Sequence, residues 1–194
     1  MKLSGSDCIV LVSNAVEGAV IVNEMLNLPT EKRLPIVSHW GITSGNFHEI
    51  IPAQSRQKLE LHFIQSCFAF TNANISQFSQ NVFSQLVLHS KGKINQPADL
   101  KSAVGFIHAY DLTKLLIQAI KQIALTGDIG KDRNAIRLAL ENIDTPIQGL
   151  VKTYRKPFSE FNPLTNINAH EALNPENYCM AKFGENDEIL ISNE

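Results

Sequence analysis

Residues 8–47 read CIVLVSNAVEGAVIVNEMLNLPTEKRLPIVSHWGITSGNF, and this stretch decides the fold. It contains two short apolar runs rich in β-branched residues, at 8–13 and 34–38, which predict strands buried on both faces. Between them, Asn14 is suited to cap a helix over about 16–26, where apolar residues mostly recur at spacings of three and four. Strands that alternate with helices over such short intervals predict a parallel sheet, in which ligands sit at the carboxyl ends of the strands.

Apolar patterns predict further elements downstream. These are a strand at 59–70, helices at 75–89, at 103–125 and from Asp132 or Arg133 to 143, a β-like segment at 148–154, and a terminal hairpin of 178–183 and 188–192. On the helix at 103–125, Tyr110 is interpreted as a structural residue of the apolar face. Asp111 is interpreted as facing solvent or a helix end.

Composition limits the class of protein. The chain has 194 residues, 44% of them hydrophobic, which is enough for one ordinary core or two small ones. Its net charge of -2 is spread along the sequence without a basic run, so nucleic acid is an unsuitable partner. No apolar stretch reaches the length of a membrane-spanning helix.

The sequence offers no motif for a metal, a cofactor or catalysis. Cys8, Cys67 and Cys179 form no CxxC pair, and the six histidines form no HxxxH or HxH pair with a carboxylate neighbour. We expect buried free thiols, with a disulfide between two of the three left open. The Gly-Lys pair in 127–131 lacks the Ser or Thr and the spacing of a nucleotide-binding loop.

Several strings, in their order along the chain, resemble the type I solute-binding proteins of ABC transporters, in the branched-chain amino acid binding family. The strings are SDCIVLVSNAVEGAVIV (6–22), LPIVSHWGITSGNF (34–47), AYDLTKLLIQAI (109–120), RNAIRLALENI (133–143), IQGLVKTYRKPFS (147–159) and HEALNPENYCMAKF (170–183). The resemblance implies two Rossmann-like α/β lobes of the type I periplasmic binding protein fold, only partly represented. It assigns 1–69 to the C-terminal lobe, 70–175 to the return segment of the N-terminal lobe, and 176–194 to the final crossing.

The same resemblance implies a function. A small solute, such as an amino acid or another carboxylate- or amide-bearing metabolite, is captured between two lobes and delivered to a membrane permease, without catalysis. The expected location is the periplasm, with the export signal in a longer precursor. Because the chain matches only the later half of the pattern, we expect it to bind solute weakly or not at all. We also expect exposed sheet edges and apolar faces to favour a homo-oligomer.

Two turns are the candidate solute site. In the first, Asn14, Ala15 and Glu17 match a cleft-facing turn of the family, where unpaired helix amides suit an anionic or carbonyl group. The alternative interpretation is that Asn14 is a helix cap and Glu17 a first-turn acid.

The second turn contains His39, Trp40, Gly41 and Thr43. It matches a family loop in which an acidic residue meets the ammonium group of amino acids, and that acid is absent here. Trp40 suits stacking on a ring or an apolar solute, and His39 suits hydrogen-bond donation. Alternatively, Trp40 packs a hinge, His39 caps the strand, and Thr43 serves the turn.

Two other functions remain open. A sensory module of the same fold would report solute to a signalling domain. An α/β enzyme would need catalytic residues outside this sequence.

Overall fold

The structure, a computed structural model, describes residues 5–192. These residues form two compact units. The described residues up to Gly105, together with those from Tyr178 onward, make unit 1, and Phe106–Asn177 make unit 2. This division does not test the lobe boundaries expected from the sequence, which stay a prediction. None of the helices in the described part is long and apolar enough to cross a membrane.

Seven strands and six α-helices lie within residues 5–192. The strands are β1 (Ile9–Leu11), β2 (Ile36–His39), β3 (Leu61–Ser66), β4 (Ile147–Gln148), β5 (Thr153–Tyr154), β6 (Tyr178–Phe183) and β7 (Ile189–Ile191). The helices are α1 (Ala15–Asn27), α2 (Phe47–Ile50), α3 (Ala53–Arg56), α4 (Gln77–His89), α5 (Ala103–Lys121) and α6 (Ile129–Glu141). Short 3₁₀ turns cover Thr30–Lys32, Trp40–Thr43, Pro97–Asp99 and Pro175–Asn177.

Unit 1 contains a five-stranded sheet in the order β1-β2-β3-β6-β7. The first three strands are parallel, β6 pairs antiparallel with β3, and β7 pairs antiparallel with β6 to complete a hairpin. Ile9, Ile36 and Leu61 lie side by side across the parallel strands, so these strands leave the sheet at the same edge. The predicted parallel α/β sheet and terminal hairpin are therefore confirmed.

One face of this sheet is covered by α1. The buried residues of the helix are Ala15, Gly18, Ala19, Val22 and Met25, spaced three and four apart. They pack on Ile36 and Phe63, which are fully buried, and each such side chain contributes about 1.5–3 kcal/mol to folding. Not every apolar residue of α1 faces the core, because Val16 and Val20 are 61% and 58% exposed.

The break between α5 and α6 lies earlier in the chain than expected. Helix α5 ends at Lys121, four residues early, and α6 begins at Ile129. The cause is local hydrogen bonding, since the Asp132 carboxylate accepts from the backbone N–H of Thr126 at 2.8 Å. The Asp128 side chain caps α6 by accepting from the Lys131 N–H at 3.0 Å.

In unit 2, Asp111 joins α5 to the hairpin of β4 and β5. It is 3% exposed and lies against the hairpin, so the expectation that it faces solvent or a helix end is wrong. Its carboxylate accepts from the backbone N–H of Leu150 at 2.6 Å, from that of Val151 at 3.0 Å, and from the Tyr154 hydroxyl at 2.8 Å. The hairpin is thus held by the buried carboxylate of Asp111, which accepts three hydrogen bonds from it.

Cys67 and Cys179 form a disulfide bond. Cys67 directly follows β3, and Cys179 is the second residue of β6, which is paired with β3. The expectation of buried free thiols is wrong, because pairing of β3 with β6 brings the two Cα atoms to 4.9 Å, and because the remaining thiol, Cys8, is exposed. The disulfide closes a loop with a sequence separation of 112 that includes all of unit 2.

We predict that the double substitution Cys67→Ser and Cys179→Ser lowers the free energy of unfolding by about 4–5 kcal/mol, because a loop of this length restricts the unfolded chain strongly. Denaturant unfolding measures the effect. Cys8→Ser is the matched control and should change stability by less than about 0.5 kcal/mol. Equal stabilities of the double variant and the native chain would contradict the bond.

We predict that Asp111→Asn lowers the free energy of unfolding by about 2–3 kcal/mol, because its new amide group must face one of three hydrogen-bond donors. Asp144→Asn, at an exposed position of unit 2, is the control and should be nearly neutral. Thermal unfolding of both variants tests this, and indistinguishable midpoints would disprove the role of Asp111.

Candidate functional site

The two turns predicted as a solute site lie at the same edge of the sheet in unit 1. Leu11 and Ser38 are opposite each other in β1 and β2, and the Ser38 hydroxyl donates to the Leu11 carbonyl oxygen at 2.7 Å. A Cβ atom at Gly41 would lie 2.9 Å from the Ser13 carbonyl oxygen, so only glycine fits this approach of the two turns. The structure therefore brings residues 13–17 and 39–43 together at the carboxyl edge of the parallel strands.

In the first turn, Asn14 occupies the cap position of α1, but its side chain accepts no hydrogen bond from the helix. Asn14 and Glu17 are both exposed, whereas Ala15 is 4% exposed and packs into the core. The helix start thus presents backbone amides, an amide side chain and a carboxylate. These groups are able to bind a small molecule with a carboxylate or carbonyl oxygen and an ammonium group.

The second turn is a 3₁₀ turn that its own side chains hold in place. His39 Nδ1 accepts from the Gly41 N–H at 2.7 Å, which leaves His39 Nε2 as the ring's donor. The Thr43 hydroxyl donates to the Trp40 carbonyl oxygen at 2.8 Å, and Thr43 is 3% exposed. Thr43 therefore shapes the turn, and a direct contact of Thr43 with solute stays a prediction.

Trp40 lies among aromatic rings and is 39% exposed. It is stacked on Tyr178, with ring centroids 5.9 Å apart and planes inclined by 14°. The His39 ring meets Trp40 edge-on, at 5.6 Å and 73°. Sequence reasoning missed Tyr178, because this first residue of β6 reaches the edge only through the antiparallel pairing of β6 with β3.

Two more polar side chains at this edge were also missed. Gln65 and Ser66, the last two residues of β3, are 1% and 0% exposed. Within residues 5–192, neither their side-chain polar atoms nor the buried Ser13 hydroxyl has a hydrogen-bond partner. Buried polar groups normally have partners, so this edge holds hydrogen-bonding capacity that the fold itself does not use.

A groove of unit 1 lies elsewhere, at the amino end of β3. It has a volume of about 960 Å³, and its lining mixes the charges of Lys58, Glu60, Lys182 and Glu188. We place the candidate site at the opposite, carboxyl edge, because loop backbone and unsatisfied polar groups converge there. Among the described residues, no three His, Cys, Asp or Glu side chains are grouped so as to hold a metal ion.

Comparison with known proteins gives a likeness in structure. No protein-family model and no curated protein sequence matches the chain. One solved structure matches with a TM-score of 0.60 and 18% identity: the branched-chain amino acid transporter substrate binding protein LivJ from Streptococcus pneumoniae strain Canada MDR_19A, in complex with isoleucine. The match covers 99% of this chain and 47% of LivJ, so the chain spans about half the length of that protein. The resemblance expected from the sequence is thereby confirmed at the level of fold, and the chain has the α/β architecture of a type I periplasmic binding protein over part of that fold.

Proposed function

We propose that the chain is a solute-binding component of an ABC importer and captures a small metabolite such as an amino acid. The observation that supports this most directly is the meeting of the turns 13–17 and 39–43 at the carboxyl edge of three parallel strands. Ligands of open α/β sheets bind at such an edge. The LivJ structure, which has the same fold, contains isoleucine.

The groups of the two turns suit an amino acid. The first amides of α1 and the Asn14 side chain are suited to the solute carboxylate, since a helix N-terminus favours negative charge. Glu17 is the exposed carboxylate of the first turn and is suited to the ammonium group. His39 Nε2 and the unsatisfied Ser13 hydroxyl add neutral hydrogen-bonding groups.

In this proposal the solute acts by shifting a conformational equilibrium. Residues 1–69 and 176–194 contribute to one lobe and 70–175 to the other, and a solute that contacts both lobes binds the closed state better than the open one. A membrane permease then receives the solute. The chain itself performs no chemistry in this scheme.

The disulfide supports an extracytoplasmic setting, and exposed apolar residues near β1 support self-association. Disulfides such as Cys67–Cys179 form and persist in oxidising compartments, of which the periplasm is one. In and just after the edge strand β1, Val10 and Val12 are 75% and 77% exposed, and exposed apolar surface of this kind favours association with another chain. The sensory alternative has no feature of the described residues in its favour.

We predict that millimolar L-amino acids shift a defined set of amide signals in two-dimensional ¹H–¹⁵N NMR spectra of the chain. The expected set is residues 14–17 and 39–43, because these backbone groups meet the solute. NMR is chosen because it detects weak binding. Glu17→Gln should weaken binding about 10-fold or more, since it removes a charged hydrogen-bond partner.

Residues 58–61 and 184 are the internal control, because they lie at the amino edge and should not shift. Glu60→Gln, an exposed glutamate at that edge, is the matched variant and should bind like the native chain. Spectra unchanged across a panel of amino acids and related carboxylates would refute the proposed function.

A further inference from the structure

The stacked rings of Trp40 and Tyr178 give the candidate site a chemical preference. Their near-parallel planes, 14° apart, belong to the offset-stacked arrangement that aromatic pairs favour. Trp40 is nevertheless 39% exposed, so part of a large ring remains accessible at the edge where the two turns meet. The accessible surface is aromatic and flat.

The positions of these rings are fixed before any solute binds. Tyr178 is paired with Ser66 across β3 and β6, and the adjacent Cys67–Cys179 disulfide joins the same two strands covalently. Trp40 is held in a 3₁₀ turn whose hydrogen bonds come from Gly41 to His39 Nδ1 and from Thr43 to the Trp40 carbonyl. A preformed aromatic surface loses little conformational entropy on binding.

The residue types of the loop that follows β2 also favour contact with a ring of the solute. The segment His39 to Phe47, HWGITSGNF, contains no acidic side chain and no lysine or arginine. What this loop offers to a solute is therefore ring surface together with neutral hydrogen-bonding groups. A flat group of the solute matches this ring surface in shape better than a branched alkyl group does.

We propose that the solute carries a planar ring, aromatic or heteroaromatic, which stacks against the Trp40–Tyr178 pair, and that Tyr178 is a specificity-determining residue of the site. This inference rests on the proposed solute-binding function and names the class of solute. The amino and carboxylate groups of a ring-bearing amino acid would meet Glu17 and the first amides of α1. Its side chain would extend toward the ring pair.

The test uses two ligands that differ in the property at issue. L-Phenylalanine and L-cyclohexylalanine share their amino acid groups and six-membered ring, but only the first ring is planar and aromatic. Trp40 is the one tryptophan in the sequence, so tryptophan fluorescence reports on this position alone. We expect phenylalanine to bind about 3- to 10-fold more tightly and to change Trp40 emission, as aromatic stacking implies.

Variants at positions 178 and 40 test whether these two rings cause the preference for phenylalanine. Tyr178→Leu should reduce the preference to less than about 2-fold, while Tyr178→Phe, which keeps a ring, should retain it. Because Trp40→Leu removes the fluorophore, its affinities are measured by NMR titration, and the preference should disappear. Circular dichroism verifies folding, and the ligand comparison on the native chain stands even where a variant fails to fold.

The outcomes are distinct. A preference for phenylalanine that needs the ring at 178 supports the inference. Equal binding of both ligands, with shifts at residues 14–17, overturns the inference but leaves the solute-binding function in place. The absence of any response to either ligand overturns the inference, and the absence of response to the wider amino acid panel overturns the proposed function as well.

Discussion

The side-by-side alignment of β1, β2 and β3 is the constraint on which the rest of unit 1 depends. Because Ile9, Ile36 and Leu61 are neighbours across the parallel strands, the turns that follow β1 and β2 emerge at one edge. A one-residue slip of β2 would turn the side chains of Ile36 and Ser38 to the other face. It would also break the bond from Ser38 to Leu11 that joins the two strand ends.

A second group of contacts comes from far along the sequence. The hairpin of β6 and β7 returns to the sheet after the whole of unit 2 and pairs with β3. That pairing brings Tyr178 to Trp40 and forms the Cys67–Cys179 disulfide. The candidate site is therefore assembled from local turns, which need only strand and helix formation, and from one remote strand, which needs the complete topology.

The local part of this arrangement could be predicted from the sequence. Runs of β-branched residues indicated β1 and β2, and helical spacing indicated α1, because both signals depend on neighbours in sequence. Which side of a helix is buried depends on what packs there, so helical spacing alone does not reveal that Val16 and Val20 are exposed. Asp111 was misjudged for the same reason, since its partners are about 40 residues away.

The site was predictable to a similar degree. The turns at 14–17 and 39–43 follow predicted strands, and the rule for parallel sheets places them at one edge. Tyr178, Gln65 and Ser66 carry no local signal of this kind, because their position depends on the pairing of β3 with β6. Cysteine spacing alone likewise could not distinguish three free thiols from one disulfide and one thiol.

The exposed thiol of Cys8 has a practical consequence for work on this protein. In buffers without reductant, an exposed thiol forms links between molecules or exchanges with an existing disulfide. A covalent dimer joined through Cys8 would have the mass of a dimer formed by strand pairing, and only electrophoresis with and without reductant separates the two. Preparations with serine at position 8 remove this ambiguity and keep the bond between residues 67 and 179 intact.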